Sequence, residues 1–256
     1  MPIPRRKHTV IATADPAASG PPSGAMDDDD EPIGGAYRGD TKNGLRHGHG
    51  KYAYGNPYFA YEGEWVKGMK QGKGKFTMGD GSVYEGDFAL GEIQGWGTRT
   101  WPTGRSYSGQ FQQGEMHGTG TLIDVDGSQY EGDFVENMRH GRGRLFAADG
   151  STYEGEFTRN RQTGSGVITD PSGAEYVGDL EDGRKQGIGR EEYSDGASYD
   201  GAWTESMYHG QGTYETGGEW SERRSYEGEW DCGRPVEVAA SLAYEGLVPS
   251  PEAAPE

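Results

Sequence analysis

Apolar and polar positions alternate with period two through short runs of this chain, and glycine interrupts every run. In YEGEWVKGMKQGKGKFTMGDGSV, residues 61 to 83, Tyr61, Gly63 and Trp65 fall on one side of an extended backbone and Glu62 and Glu64 on the other. The next run sets Gly72, Gly74 and Phe76 against Lys73, Lys75 and Thr77. VKGMKQ separates the two runs and MGDGSV follows them, so the stretch predicts a β-hairpin joined to its successor by a second turn.

The pattern Tyr-x-Gly-x-(aromatic or Leu) recurs at Tyr61, Tyr84, Tyr107, Tyr130, Tyr153, Tyr176 and Tyr199, 23 residues apart each time. A unit at Tyr37 is set off by 24 residues through an extra position in YGNPYFA, and a partial unit at Tyr226 by 27 through ETGGEWSERRS. A fixed period of this length marks a repeat architecture. It predicts an array over residues 37–234, of eight repeats and a partial ninth. Residues 1–36, rich in Ala, Pro, Ser, Gly and Asp and holding the run DDDDE, read as a disordered arm. Residues 235–256 read as a cap followed by a mobile tail.

Turn chemistry supports the hairpins. The place of Gly68 is filled elsewhere by Gly44, Gly91, Gly114, Asn137, Asn160, Gly183 and Ser206, which predicts positive φ there. The second turn carries Asp80-Gly81, Asp126-Gly127, Asp149-Gly150 and Asp195-Gly196, a strong hairpin signal. Glycines inside the strands, Gly63, Gly72 and Gly74 among them, leave open space for rings on neighbouring strands. On the other face Glu62 and Glu64 are expected opposite Lys73 and Lys75, and Glu131 and Asp133 opposite Arg142 and Arg144. A hairpin of this size cannot fold alone, so the units must stack; 16 or so strands at about 4.8 Å give a rod roughly 75 to 80 Å long.

Composition sharpens this. A net charge of -18 with few aliphatic residues usually signals disorder, but 16 Tyr, 6 Trp and 7 Phe can build an aromatic core if held in register. Such a charge argues against partners that are nucleic acids or anionic membranes. Cys232 is the single cysteine, so no internal disulfide is expected and the chain suits a reducing compartment. No apolar run is long enough to span a bilayer as a helix, and the N-terminus lacks the apolar stretch of a secretion signal.

Tyr61-Glu62-Gly63-Glu64-Trp65, a glycine turn, Gly72-Lys73-Gly74 and then Asp80-Gly81 resemble the MORN repeat (membrane occupation and recognition nexus), and the resemblance spans residues 37 to about 234. It implies an all-β fold: an elongated, twisted, single-layer antiparallel sheet of tandem 23-residue hairpins with an aromatic, glycine-lined groove. Stand-alone members of motile cilia and flagella are the most similar in composition and length. The implied role is a cytoplasmic, cytoskeletal scaffold of the axoneme, whose partners are other structural proteins. The groove residues are then Tyr61, Tyr84, Tyr107, Tyr130, Tyr153, Tyr176 and Tyr199 with Trp65, Phe88, Phe111, Phe134, Phe157 and Trp203. An open sheet end offers two copies a place to pair. The array departs from the pattern at Thr41 and Leu180, which stand where an aromatic belongs, and at the Tyr226 unit, which lacks a Gly-x-Gly strand.

Catalytic chemistry is not expected. His47-x-His49 suggests a metal, but the place of His49 is filled elsewhere by Lys73, Trp96, Thr119 or Arg142, so no metal or cofactor is assigned. His47, His117, His140 and His209 share one repeat position and predict a structural column at the hairpin ends. Gly141-Arg142-Gly143 completes no phosphate-binding motif, and carboxylate pairs recur in nearly every unit where a glycosidase needs one. The alternative to a scaffold is a peripheral phosphoinositide-binding module using Lys67, Lys70, Lys73 and Lys75 or Arg139, Arg142 and Arg144.

Overall fold

A computed structural model describes residues 35–56, 58–218 and 224–236; the expected arm through residue 34 and the tail from residue 237 lie outside the described residues. Strands of seven and nine residues alternate. The units are β1 (Ala36–Lys42) with β2 (Leu45–Ala53), β3 (Ala60–Val66) with β4 (Met69–Thr77), β5 (Val83–Ala89) with β6 (Glu92–Thr100), and β7 (Ser106–Gln112) with β8 (Glu115–Ile123). Next come β9 (Gln129–Val135) with β10 (Met138–Phe146), β11 (Thr152–Thr158) with β12 (Arg161–Thr169), β13 (Glu175–Glu181) with β14 (Arg184–Glu192), and β15 (Ser198–Thr204) with β16 (Met207–Glu215). The Tyr226 unit supplies β17 (Ser225–Asp231) and a two-residue β18 (Arg234–Pro235). Each strand pairs antiparallel with its sequence neighbours, so the array is one open meandering sheet.

The repeated tyrosine organises each unit. Tyr61 on β3 stands opposite Phe76, and Gly63 stands opposite Gly74. The Tyr61 ring lies across this glycine pair: a Cβ at Gly74 would fall within 2.7 Å of two ring carbons and the hydroxyl oxygen, and one at Gly63 within 2.6 Å of the hydroxyl. Having crossed its own strand, the phenol donates a hydrogen bond to the Glu64 carbonyl at 3.0 Å. Tyr84, Tyr107 and Tyr130 repeat the bond three residues on, each at 3.0 Å. Ring room at Gly63 and Gly74 is thus as the pattern predicts.

Gly72 does something else. The second strand bulges there, with Gly63 opposite Gly74 but Trp65 opposite Lys70, and Gly72 takes φ 68°. The Glu64 carboxylate seals the bulge by accepting the Lys73 main-chain N–H at 2.9 Å. Asp87, Gln110 and Asp133 do the same for Trp96, Thr119 and Arg142 at 3.0, 2.9 and 3.0 Å. The first glycine of Gly-x-Gly therefore serves a bulge, not a ring.

Both turns are sharper than expected. Lys67 as well as Gly68 has positive φ (50° and 86°), the signature of a type I′ turn, and the pair recurs at Leu90-Gly91 and Asn43-Gly44. At the other end only Gly81 of Asp80-Gly81 is left-handed, and Met78 accepts from Gly81 and donates to Ser82, closing a three-residue loop with a glycine bulge. Asp80 braces the loop through the Ser82 N–H and hydroxyl at 2.8 and 2.6 Å.

The outer face corrects the expected charge pairing. Glu62 is opposite Lys75, but Glu64 is occupied with the bulge, and the close ion pairs run from one unit to the next. Lys51 reaches Glu62 at 3.3 Å, Lys73 reaches Asp87 at 2.6 Å and Lys75 reaches Glu85 at 2.7 Å. Arg144 lies opposite Glu131, yet its ion pair is with Glu154 of the following unit at 3.9 Å. Main-chain bonds add to this stitching: the Gly91 N–H at one hairpin tip donates to the Lys70 carbonyl of the preceding unit.

Filling one ring site and relaxing one turn should have opposite effects. Gly97→Ala, whose new methyl would meet Tyr84, is expected to cost about 2 to 4 kcal/mol through overpacking and the lost phenol bond. Leu90→Gly, at φ 53°, is expected to raise stability by up to about 1 kcal/mol. Urea unfolding of both variants checks the pair; a neutral Gly97→Ala would contradict the role given to the ring.

Candidate partner-binding face

All thirteen aromatic residues assigned to the groove lie on one face, and the structure brings them into a single column. Tyr61 meets Trp65 of its own strand at 5.0 Å and Phe88 of the next unit at 4.9 Å, both edge to face. Tyr84 bridges Phe88 and Phe111 in the same way, and Tyr107 bridges Phe111 and Phe134. Tyr130 spans Phe134 and Phe157, and Tyr153 meets Phe157. Leu180 interrupts the chain of rings, which resumes from Tyr176 to Trp203, Tyr199 and Trp230. Trp65 and Trp203 anchor their indole N–H groups on the Gly50 and Gly189 carbonyls at 3.0 and 2.9 Å.

These rings are the core of the molecule. The thirteen are between 0 and 3 % exposed, so the surface a partner touches on this face belongs to other residues. The second strands supply it. Tyr52, Phe76, Leu122, Leu145, Ile168 and Tyr214 follow one repeat position, with Arg99 and Glu191 interposed, and of these Tyr52, Phe76, Glu191 and Tyr214 are buried. Leu122, Leu145 and Ile168 are half-buried against the rings, as are Tyr54, Met78, Trp101 and Tyr193 farther along the units. Periodicity identified the ring column; what it could not show is that neighbouring units would cover it.

A second position carries the charge. Arg46, Lys70, Ile93, Met116, Arg139, Gln162, Lys185 and Tyr208 follow one another, four cations and no anion in a chain of net charge -18. The cations sit on rings: Arg46 is 4.6 Å from the centroid of Tyr52 and 4.8 Å from that of Trp65, and Lys70 is 4.4 Å from that of Phe76. Lys185 is 4.8 Å from Trp203 and Arg139 is 5.5 Å from Phe157. Contacts of this kind hold a cation in an apolar setting. Burial, then the neighbouring Arg46, pushes the Lys70 ammonium down to about 8, with Glu92 acting in the other direction.

Partners of these cations differ along the array. Arg99 pairs with Asp80 at 2.9 Å, and Arg139 donates to the Asn160 carbonyl at 3.2 Å. Lys185 pairs with the buried Glu191, which also accepts from Tyr193 at 2.9 Å; Tyr193 in turn shares a hydrogen bond with Tyr208. A cleft of about 240 Å³ lies beside Arg139, Leu145, Phe157 and Gln162, below the size that usually encloses a small ligand.

Other expected sites resolve into structural roles. At the position of the histidines, Gln71, Gln94 and Gln186 accept main-chain N–H groups of Leu90, Gln113 and Glu205 at the next hairpin tip. That row braces turns. His209 differs in lying 3.6 Å from Asp231. Of the basic residues considered for phosphoinositides, Lys73 and Lys75 are committed to Asp87 and Glu85, and Arg144 to Glu154.

A family model described as MORN repeat matches residues 37–56, 61–83, 84–104, 107–129, 130–152, 153–175, 176–198 and 199–217. Among solved structures, the TCP domain of Drosophila melanogaster SAS-4 (dCPAP), in complex with a proline-rich motif of Ana2 (dSTIL), is similar at 12% identity. That alignment covers 61% of this chain and 85% of the other, with a TM-score of 0.39. The wild-type TCP10 domain of Danio rerio CPAP, in complex with a peptide of Danio rerio STIL, matches at 15% identity over 66% of this chain and 84% of that one, with a TM-score of 0.31. No curated protein matches the chain.

Burial raises the phenol pKa throughout the column, to about 12 for Tyr130, Tyr153 and Tyr199 against an ordinary value of 10.0. A raised folded-state pKa contributes stability that is whole below the unfolded value and is lost as pH rises through the folded one. The array is thus expected to weaken progressively from pH 10 toward 12, with tyrosinate absorbance appearing together with loss of the β-sheet circular dichroism signal. Full tyrosine ionisation in an intact sheet would contradict the buried column.

Proposed function

The chain belongs to the MORN-repeat family, and from that premise we propose that it is a non-enzymatic scaffold that docks structural proteins of the ciliary or flagellar axoneme along its aromatic face. One observation carries the reading. Successive second strands present a strip of half-buried apolar groups, Leu122, Leu145 and Ile168 among them, and ring-backed cations, held in register by a ring column that is itself inaccessible. Such a strip suits an extended or helical segment of another protein, with apolar anchors in the middle and charges fixing its placement. The recurrent carboxylates have the structural tasks described above, at the bulges and in ion pairs between units. The axonemal setting, in the cytoplasm and cytoskeleton, rests on the likeness to stand-alone family members.

Leu122 and Leu145 test this without disturbing the column. A Leu122→Asp/Leu145→Asp variant is expected to lose co-sedimentation with demembranated axonemes by about tenfold, equivalent to about 1.4 kcal/mol of binding. Trp96→Ala, on the opposite face and 55 % exposed, is expected to sediment like the unaltered chain. Thermal melting establishes that both remain folded. Should the folded double variant sediment normally, or the unaltered chain fail to sediment at all, the face or the axonemal setting respectively is wrong.

A further inference from the structure

Arg46 and Lys70 stand apart from the other cations of the aromatic face: Arg99 and Lys185 pair with Asp80 and Glu191, and Arg139 donates to the Asn160 carbonyl. Among the described residues neither has a carboxylate within ion-pair distance, and the Arg46 Nε is buried without a hydrogen-bond partner. The Lys70 ammonium makes ring contacts with Tyr61, Phe76 and Phe88 and no hydrogen bond among the described residues. The corresponding cation near the other end, Lys185, has Glu191 inside the same face. The first two units therefore hold two adjacent positive charges, one repeat apart, with no internal acid to balance them.

The chain itself carries the complementary charge nearby. Asp27-Asp28-Asp29-Asp30-Glu31 precedes β1 by only a few residues. Entry into β1 is on the aromatic side: Gly35 lies against the Tyr52 hydroxyl, and the ring of that same tyrosine lies under Arg46. Three residues lie between Glu31 and Gly35, and the four Cα–Cα steps reach roughly 13 Å when extended, with the remaining acids extending it further. Tethering this close gives the run a high effective concentration at the site.

We propose that the acidic run from Asp27 to Glu31 folds back over the first two units and supplies the carboxylates that Arg46 and Lys70 lack. The occupant is thus a segment of this chain. It covers the N-terminal end of the aromatic face and neutralises two adjacent cations whose charged groups have neither a carboxylate nor a hydrogen-bond partner among the described residues. The proposal goes beyond partner docking and does not depend on it, since the strip from Ile93 onward remains uncovered.

Zero-length carbodiimide coupling of the full chain tests the contact, because amide formation requires the amine beside the activated carboxylate. The run is expected to join Lys70 in preference to the more exposed Lys67, Lys73 and Lys75. Mixing labelled with unlabelled copies should give links within one chain. Coupling should fall several-fold between about 0.01 and about 1 M salt, as the Debye length shrinks from about 30 to about 3 Å. Links spread evenly over exposed lysines, links between copies, or none to Lys70 would overturn the proposal. A second measurement follows the Lys70 ammonium by NMR, where the facing titratable groups are Arg46, Glu92 and Tyr61. Its titration should move to lower pH in the D27N/D28N/D29N/D30N/E31Q chain relative to the unaltered one, and an unchanged titration would refute the contact independently. Lys70→Met serves as the negative control for both, a change the fold accommodates because Met116 occupies the equivalent place.

Discussion

The structure depends on one arrangement: a tyrosine ring laid across two paired glycines, with its hydroxyl tied to the carbonyl three residues ahead. Because the ring occupies the space above Gly63 and Gly74, it is enclosed even though the sheet has a single layer. The glycine entropy lost on folding is offset by burying a large aromatic surface and satisfying its polar end. Nothing larger than glycine fits under the ring, and nothing smaller than an aromatic reaches the next unit. The edge-to-face chain follows from this geometry, since each ring lies flat on its own hairpin and meets its neighbours side on.

From that constraint comes a division of labour between strands. Seven-residue strands carry the rings and are covered by their neighbours; nine-residue strands carry the bulge and the residues left accessible. The bulge lets the longer strand stay in register with the shorter one, and the acidic or amide side chain ahead of it satisfies the main chain there. Ion pairs and turn hydrogen bonds then run forward from unit to unit, so the contacts that specify register are also those that join repeats. Variation is left to one row on these longer strands, where Lys, Ile, Met, Arg, Gln and Tyr succeed one another and Ile93, Met116 and Tyr208 are buried.

What could be read in advance was what glycine and tyrosine spell out. The 23-residue phase, the hairpins, the left-handed site at Gly68 and the ring space at Gly74 all leave a residue-type signature. Three features leave none. Lys67 and Leu90 hold positive φ although neither side chain favours it, because the twist of flanking strands selects the type I′ turn. Gly72 looks like Gly74 in the alternation, but its backbone serves the bulge. The accessible surface was hidden for a different reason: period-two patterning assigns a face, while burial on that face is decided by adjoining units. Gly79, without an evident task in the sequence, lies under the Phe59 ring from the irregular YGNPYFA segment.

Leu180 is buried to 4 % and fills its place, yet it ends the ring contacts between Tyr153 and Tyr176. In a solenoid, stability is close to a sum of units and nearest-neighbour couplings. One missing edge-to-face pair across the junction, worth about 0.5 to 1.5 kcal/mol, makes it the weakest coupling in the ring chain. An array loaded along its length would divide there, into a segment of units before β13 and a shorter one from β13 onward. Hydrogen exchange that steps between β12 and β13 would register the division. The single aliphatic residue thus leaves the array with a built-in joint between β12 and β13, weaker in ring contact than the junctions before it.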